Sequence, residues 1–339
     1  LGDVYKRQVN LFVFVFMIGA CLSQGRAQTK SAVSYKNPVV DIAMPDPTVI
    51  KAADGYFYVY ATESTRNVPI MKSKDLVEWT YCNTAFTNKT RPRFEPKAGI
   101  WAPDINYING KYVLYYAMSV WGGEQTCGIG VATANSPQGP FTDHGKMFRS
   151  NEIGVQNSID PSLLQYEGRN YLVWGSFRGI YVIELTADGL SIMSGAKKKR
   201  IAGTAFEAVY IHKHGDYYYM FASIGSCCQG VKSTYKVVVG RSKKVWGPYK
   251  DKTGKPMLKN GYSLVIGAND HFVGNGHGSQ IIQDDAGQDW LLYHGFSRST
   301  PENGRILLLD QIKWDQEGWP YVEGGSPSYE TQKAPVFNN

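Results

Sequence analysis

The chain has 339 residues, 19% of them charged and 43% hydrophobic, so a packed core is expected and disorder is excluded. Its formal charge of +7 comes without a basic helix, zinc spacing or nucleic-acid motif, which leaves no case for a nucleic-acid partner. The densest basic run, Lys197-Lys198-Lys199-Arg200, sits between Gly195 and Gly203 and reads as a solvated turn, with a polyanion contact as the alternative.

In chain order, Leu1 to Gln8 reads as a non-native start, and residues 11–20 follow as an apolar run. That run is shorter than the ~20 residues a membrane span needs. It suits the centre of a secretory signal peptide over 1–27, with cleavage after Ala27. Ile18-Gly19-Ala20-Cys21 also resembles a bacterial lipobox, which would anchor a lipid on Cys21. Export to the periplasm or outside the cell is expected either way, with a single domain over 31–335.

Five segments of that domain share one pattern: a polar lead residue, a short apolar strand, a turn glycine, then an aromatic-rich strand. They open at Asp46-Pro47-Thr48, Asp104-Ile105-Asn106, Asp160-Pro161-Ser162, Glu207-Ala208-Val209 and His277-Gly278-Ser279. Their turn glycines are Gly55, Gly110, Gly168, Gly215 and Gly287. The leads recur about 47 to 70 residues apart, room for four short strands each. Alternation such as Tyr56/Tyr58/Tyr60 argues for half-buried strands, and no long 3.6-residue period argues for helices. The fold expected is all-β, a five-bladed β-propeller. A two-sheet sandwich would also give short strands, but not the repeated polar lead.

The innermost strand of each propeller blade lines a central channel, so equivalent residues converge there. Asp46, Asp104, Asp160, Glu207 and His277 are the residues expected to converge. Clustered carboxylates raise one another's pKa, a costly arrangement; the bland alternative is that each caps a tight turn. Paired carboxyls across a cavity suit glycoside hydrolysis, one protonated to donate and one ionised to activate water. Glu207 has the reach of a donor and Asp46 the shorter arm of a fixed base. His277 is open to three readings: ligand of a hydrated cation, hydrogen-bond partner or structural histidine. The cysteines are sparse: Cys227-Cys228 is either a vicinal disulfide or two packed thiols, and Cys82 could pair with Cys127.

Several stretches together resemble glycoside hydrolase family 43, particularly its arabinan endo-1,5-α-L-arabinosidases. They include Met44-Pro45-Asp46-Pro47, Trp101-Ala102-Pro103-Asp104, Asn157-Ser158-Ile159-Asp160-Pro161, Gly175-Ser176-Phe177, Phe206-Glu207-Ala208, Cys227-Cys228-Gln229-Gly230 and Gly276-His277-Gly278. The resemblance implies an inverting mechanism with Asp46 as general base, Asp160 as pKa modulator and Glu207 as general acid. It implies sugar subsites lined by Trp101, Asn157, Ser158 and Ser176, and one central Ca2+ beside His277 with no organic cofactor. The implied partner is plant cell-wall polysaccharide, arabinan of the pectin side chains, met by a monomer without a membrane span. The chain departs from the family pattern at Val209, at Gly278 and over 295–305. It leaves no room for the extra C-terminal sandwich of many β-xylosidases of the family, which favours endo-arabinanase action. Exo-acting α-L-arabinofuranosidase or β-xylosidase action, or non-catalytic glycan binding, are the alternatives.

Overall fold

The computed structural model describes residues 33–338, so the expected leader over 1–27 and Cys21 lie outside the described residues. Five antiparallel sheets follow one another along the chain, each running from its inner strand outward. Blade I holds Thr48–Lys51, Phe57–Tyr60, Pro69–Ser73 and Trp79–Thr84. Blade II holds Gly99–Ile108, Lys111–Ser119, Gly128–Ala134 and Thr142–Arg149. Blade III holds Ser162–Tyr166, Arg169–Trp174, Ile180–Glu184 and Lys199–Ala202. Blade IV holds Glu207–His214, Tyr217–Ile224, Lys236–Ser242 and Ser263–Ile266. Blade V holds Phe272–Gly276, Asp289–Ser297 and Ile306–Trp314, and its outer edge is Val40–Ala43 from the start of the domain. This is the five-bladed β-propeller expected from the repeats. Helix is confined to Ser150–Ile153 and short 3-10 turns among the described residues.

The core is not one mass: five large clusters lie one between each pair of neighbouring blades, and a small sixth holds Ala117, Cys127 and Ile159. Tyr58 and Ile105 belong to the I/II cluster, Val113 and Leu163 to II/III, and Val173 and Val209 to III/IV. Tyr219 and Leu291 belong to IV/V, and Val49 and Trp290 close the ring at V/I. Both faces of most strands are therefore covered, which explains why Phe57–Tyr60 and Ile306–Leu309 are buried without alternation.

Blade V completes itself with chain from the opposite end of the domain. Val40 pairs with Leu307, and Ser34–Tyr35 pairs with Gln332–Lys333. Buried Asn37 fastens the join: its amide donates to the Leu309 carbonyl at 2.9 Å and to Asp310 at 3.1 Å, and its oxygen accepts the Leu309 N–H at 2.9 Å. No helix among the described residues is long and apolar enough to cross a membrane.

Candidate active site

Within or beside each inner strand stands one residue in the left-handed region, which costs a non-glycine residue about 1–3 kcal/mol. These are Asp46, Ala102, Asp160, Ala208 and His277, with φ of 54°, 42°, 56°, 53° and 49°. A bulge interrupts the ladder at this level between Trp101 and Asp104, Glu207 and Tyr210, and Val273 and Gly276. Such kinks re-aim side chains. Four of the five kinked residues donate their N–H to a side chain of another blade. Asp46 donates to His294 Nδ1 (3.0 Å), Ala102 to Thr62 Oγ1 (2.7 Å), Ala208 to Asp160 Oδ2 (3.2 Å) and His277 to Ser223 Oγ (2.8 Å).

The expected equivalence of the five polar leads is corrected by this register. Asp46, Asp160 and His277 are equivalent, but the matching residues of blades II and IV are Ala102 and Ala208. Glu207 stands one residue before its kink and Asp104 two residues after. The polar side chain drew the eye, while the position is defined by backbone sign, which the sequence does not display. Asp104 instead ties three blades: its Oδ2 accepts the Leu163 N–H at 2.7 Å and Asn106 Nδ2 at 2.6 Å, and Thr48 Oγ1 lies 3.5 Å from Oδ1. Burial pushes its carboxyl up to about 7. Related bonds continue around the channel from Ser162 to the Val209 carbonyl and from Gln280 to the Val49 carbonyl.

Asp46 is held from four sides. Its Oδ1 lies 2.8 Å from Arg305 Nη1, 3.2 Å from His277 Nδ1 and 3.3 Å from His294 Nδ1, and its Oδ2 accepts the Thr62 hydroxyl at 2.6 Å. Burial works to raise its pKa, but Arg305 and then His277 outweigh it and hold the carboxyl well below the usual range. His277 is raised above an ordinary imidazole because its carboxylate neighbours, Asp46 first, overcome its burial. His294 is fully buried and pushed down to about 4 by that burial; its Nδ1 accepts the Asp46 amide proton, so the ring is neutral.

Glu207 has the opposite environment. Burial raises its pKa, against hydrogen bonds from Ser176 and Tyr235 that lower it. The Ser176 hydroxyl donates to Glu207 Oε2 at 2.6 Å, and Asn157 Nδ2 donates to that hydroxyl at 2.9 Å. Asp160 is also raised, by burial and then by the Glu207 charge. Tyr235 stacks on His294 with centroids 5.6 Å apart, and its ring passes so close to Gly276 that a Cβ there would come within 2.2 Å of it. Just upstream, Cys227 and Cys228 are joined by a disulfide, while Cys82 and Cys127 are free thiols.

The other expected residues divide. Asn157 and Ser176 form the relay that ends on Glu207. Ser158 is fully buried; its hydroxyl donates to the Val155 carbonyl and accepts the Trp174 indole N–H, so it braces the loop and faces no ligand. Trp101 is half-buried against Ala117, Cys127 and Ile159, with its ring 6.0 Å from Trp121 in an edge contact. Trp121 itself is 80% exposed, and sequence reasoning missed it, as it missed Thr62 and Arg305. Arg305 lies in the stretch marked as atypical, which was the one available signal.

The channel cavity reaches Asp160, and the polar part of its lining is Thr48, Asp104, Asp160, Ser162, His277 and Gln280, mostly oxygen-bearing side chains. A second group capable of holding a metal lies elsewhere, at His212, His214 and Asp289, and sequence reasoning did not single it out.

The chain resembles known proteins over most of its length. The family description "Glycosyl hydrolases family 43" matches residues 35–320. An extracellular exo-α-(1→5)-L-arabinofuranosidase, ArbA of Cellvibrio japonicus, is 36% identical over 306 residues, covering 82% of this chain and 86% of the relative. An extracellular endo-α-(1→5)-L-arabinanase 1 of Bacillus subtilis is 36% identical over 289 residues, covering 81% and 86%. Among solved structures, a Cellvibrio cellulosa α-L-arabinanase complexed with arabinohexaose superposes with a TM-score of 0.76 at 34% identity, covering 85% of this chain and 98% of that one. On these matches the chain belongs to glycosyl hydrolase family 43 and is a carbohydrate-active enzyme of that family.

Proposed function

We propose that this protein is an inverting hydrolase of α-1,5-linked L-arabinofuranosyl bonds in arabinan, the side-chain polysaccharide of pectin. The observation that carries the reading is the opposed tuning of two buried carboxyls, Asp46 held ionised by Arg305 and Glu207 pushed toward its protonated form by burial. Glu207 gives its proton to the departing glycosidic oxygen. Asp46 takes a proton from a water that attacks the anomeric carbon from the opposite face. One C–O bond breaks, another forms, and the configuration inverts. Asp160, itself raised by burial and then by the Glu207 charge, is read as the carboxyl that modulates the acid, and it holds the Ala208 N–H. In an inverting site the two carboxyls stand roughly 6.5–9.5 Å apart.

Exo-action is favoured over the endo-action expected from the sequence. The exo-acting relative matches over the longer stretch, 306 residues against 289, at equal identity. The channel donors fit a hard, hydrated divalent cation such as Ca2+, with Asp104, Asp160, Thr48, Ser162 and His277 around it. Such an ion would offset the buried negative charge.

The test is incubation with linear α-1,5-arabinan. Release of arabinose or short oligosaccharides from the first minutes, inverted at the anomeric carbon by proton NMR and abolished in Glu207→Gln, is expected. No release, or a Glu207→Gln variant as active as the parent, would overturn the assignment. Oligosaccharide ladders instead of early small product would restore endo-action.

A further inference from the structure

We propose that His212, His214 and Asp289 form a binding site for a borderline divalent metal of the Zn2+ class, which fastens blade IV to blade V far from the catalytic acids. His212 and His214 are two residues apart on the strand Glu207–His214. Side chains alternate along a strand, so both imidazoles project from the same face. Asp289 opens the strand Asp289–Ser297 of the next blade. One ligand atom from each of the three lies within 4.8 Å of the others, and His214 Nδ1 is 3.7 Å from Asp289 Oδ2.

The surroundings orient the donors. The Trp314 indole N–H donates to Asp289 Oδ2 at 2.8 Å, and Gln283 Nε2 donates to Oδ1 at 3.1 Å, which fixes the plane of the carboxylate. The His214 ring lies flat on Trp314, with centroids 3.7 Å apart and planes 8° from parallel. Stacking fixes that ring and leaves its in-plane nitrogens free to bind. Outer contacts of this kind orient metal ligands in general. At ~3.3 Å per strand residue, His214 lies roughly 20 Å along its strand from Glu207, at the far end of the propeller from the acids.

Two imidazole nitrogens and one carboxylate oxygen match Zn2+, with water completing a tetrahedron. They suit Ca2+ poorly, since that ion takes six to eight oxygens. Closing the ligands onto an ion would draw the inner strand of blade IV toward blade V. Binding to the folded state alone then raises stability by mass action.

The experiment uses the full chain, stripped with EDTA and returned to excess Ca2+, then titrated with Zn2+ and, in parallel, Co2+. Expected are one Zn2+ per chain, a Tm that rises with Zn2+, and visible Co2+ bands of a nitrogen–oxygen tetrahedral site. His214→Ala and Asp289→Asn should each weaken Zn2+ binding at least tenfold and remove the Tm rise; near-UV circular dichroism confirms that they fold. His212→Gln covers the case in which either fails to fold. Unchanged binding in the folded variants, no stoichiometric binding by the parent, or a thiolate charge-transfer band placing the metal on cysteine would each overturn the proposal.

Discussion

Arg305 and Asp46, 259 residues apart in sequence, meet with 2.8 Å between guanidinium nitrogen and carboxylate oxygen. Asp46 is buried and Arg305 partly so, and removing the cation leaves a desolvated carboxylate without its main partner, a loss of up to about 3–5 kcal/mol in fully buried cases. Arg305→Ala is predicted to fall in Tm and to lose ~10²-fold in kcat. Asp46 has a depressed folded pKa, so its contribution to stability is present above its unfolded value and fades as pH drops through the folded one. The variant should therefore lose stability chiefly above about pH 4, and its acid limb of activity should move to higher pH. Denaturation curves at pH 3 and pH 7 together with a pH–rate profile read both effects; an unmoved acid limb would sink the argument.

Ser176 donates to the carboxyl read as the acid and so favours its ionised form. Ser176→Ala should push the Glu207 pKa further up and shift the alkaline limb of kcat to higher pH, with a loss of about 10-fold in rate. A downward shift would contradict the hydrogen-bond direction. The measurement is kcat against pH at saturating arabinan.

Asp160→Asn removes a buried carboxyl whose proton affinity is coupled by charge to Glu207, while leaving an oxygen for the Ala208 N–H. The alkaline limb is predicted to move to lower pH, with kcat lower by ~10²-fold or more, in the range general acid–base groups supply. Circular dichroism should show an intact fold. An unchanged alkaline limb would mean that Asp160 does not tune the acid.

Trp121 is 80% exposed, edge-on to Trp101. A free indole face suits stacking on a sugar. Trp121→Ala should raise KM several-fold and leave kcat and Tm unchanged. If Tm falls and KM stays, the ring serves packing and not substrate.

Asn37→Ala deletes four hydrogen bonds at the ring closure and leaves the buried Leu309 N–H without its partner, while the Leu309 carbonyl keeps the Tyr35 hydroxyl. Each unsatisfied group costs about 1–3 kcal/mol, so a Tm lower by several degrees is expected, with kcat at room temperature unchanged. Differential scanning calorimetry checks the first and initial rates the second.

The propeller was legible because its repeats carry their own strand and turn signals, and each blade buries its faces against a similar neighbour. Asp46, Asp160 and His277 were legible because a polar residue coincides with the kink. Ala102 and Ala208 were not, since a left-handed backbone at alanine has no chemical flag. Arg305 and Thr62 stand outside the repeated pattern, and only ring closure brings them to Asp46. Ser158 shared a motif with Asn157, yet the two side chains point to different surroundings, a distinction set by the loop's hydrogen bonds and invisible in spacing.

The strand that shuts the ring, Val40–Ala43, precedes Asp46 by only a few residues, and its partner strand starts at Ile306, directly after Arg305. During synthesis, blades I to IV can form while Asp46 still lacks the Arg305 guanidinium. Under the proposed mechanism, activity then waits for the last blade to emerge.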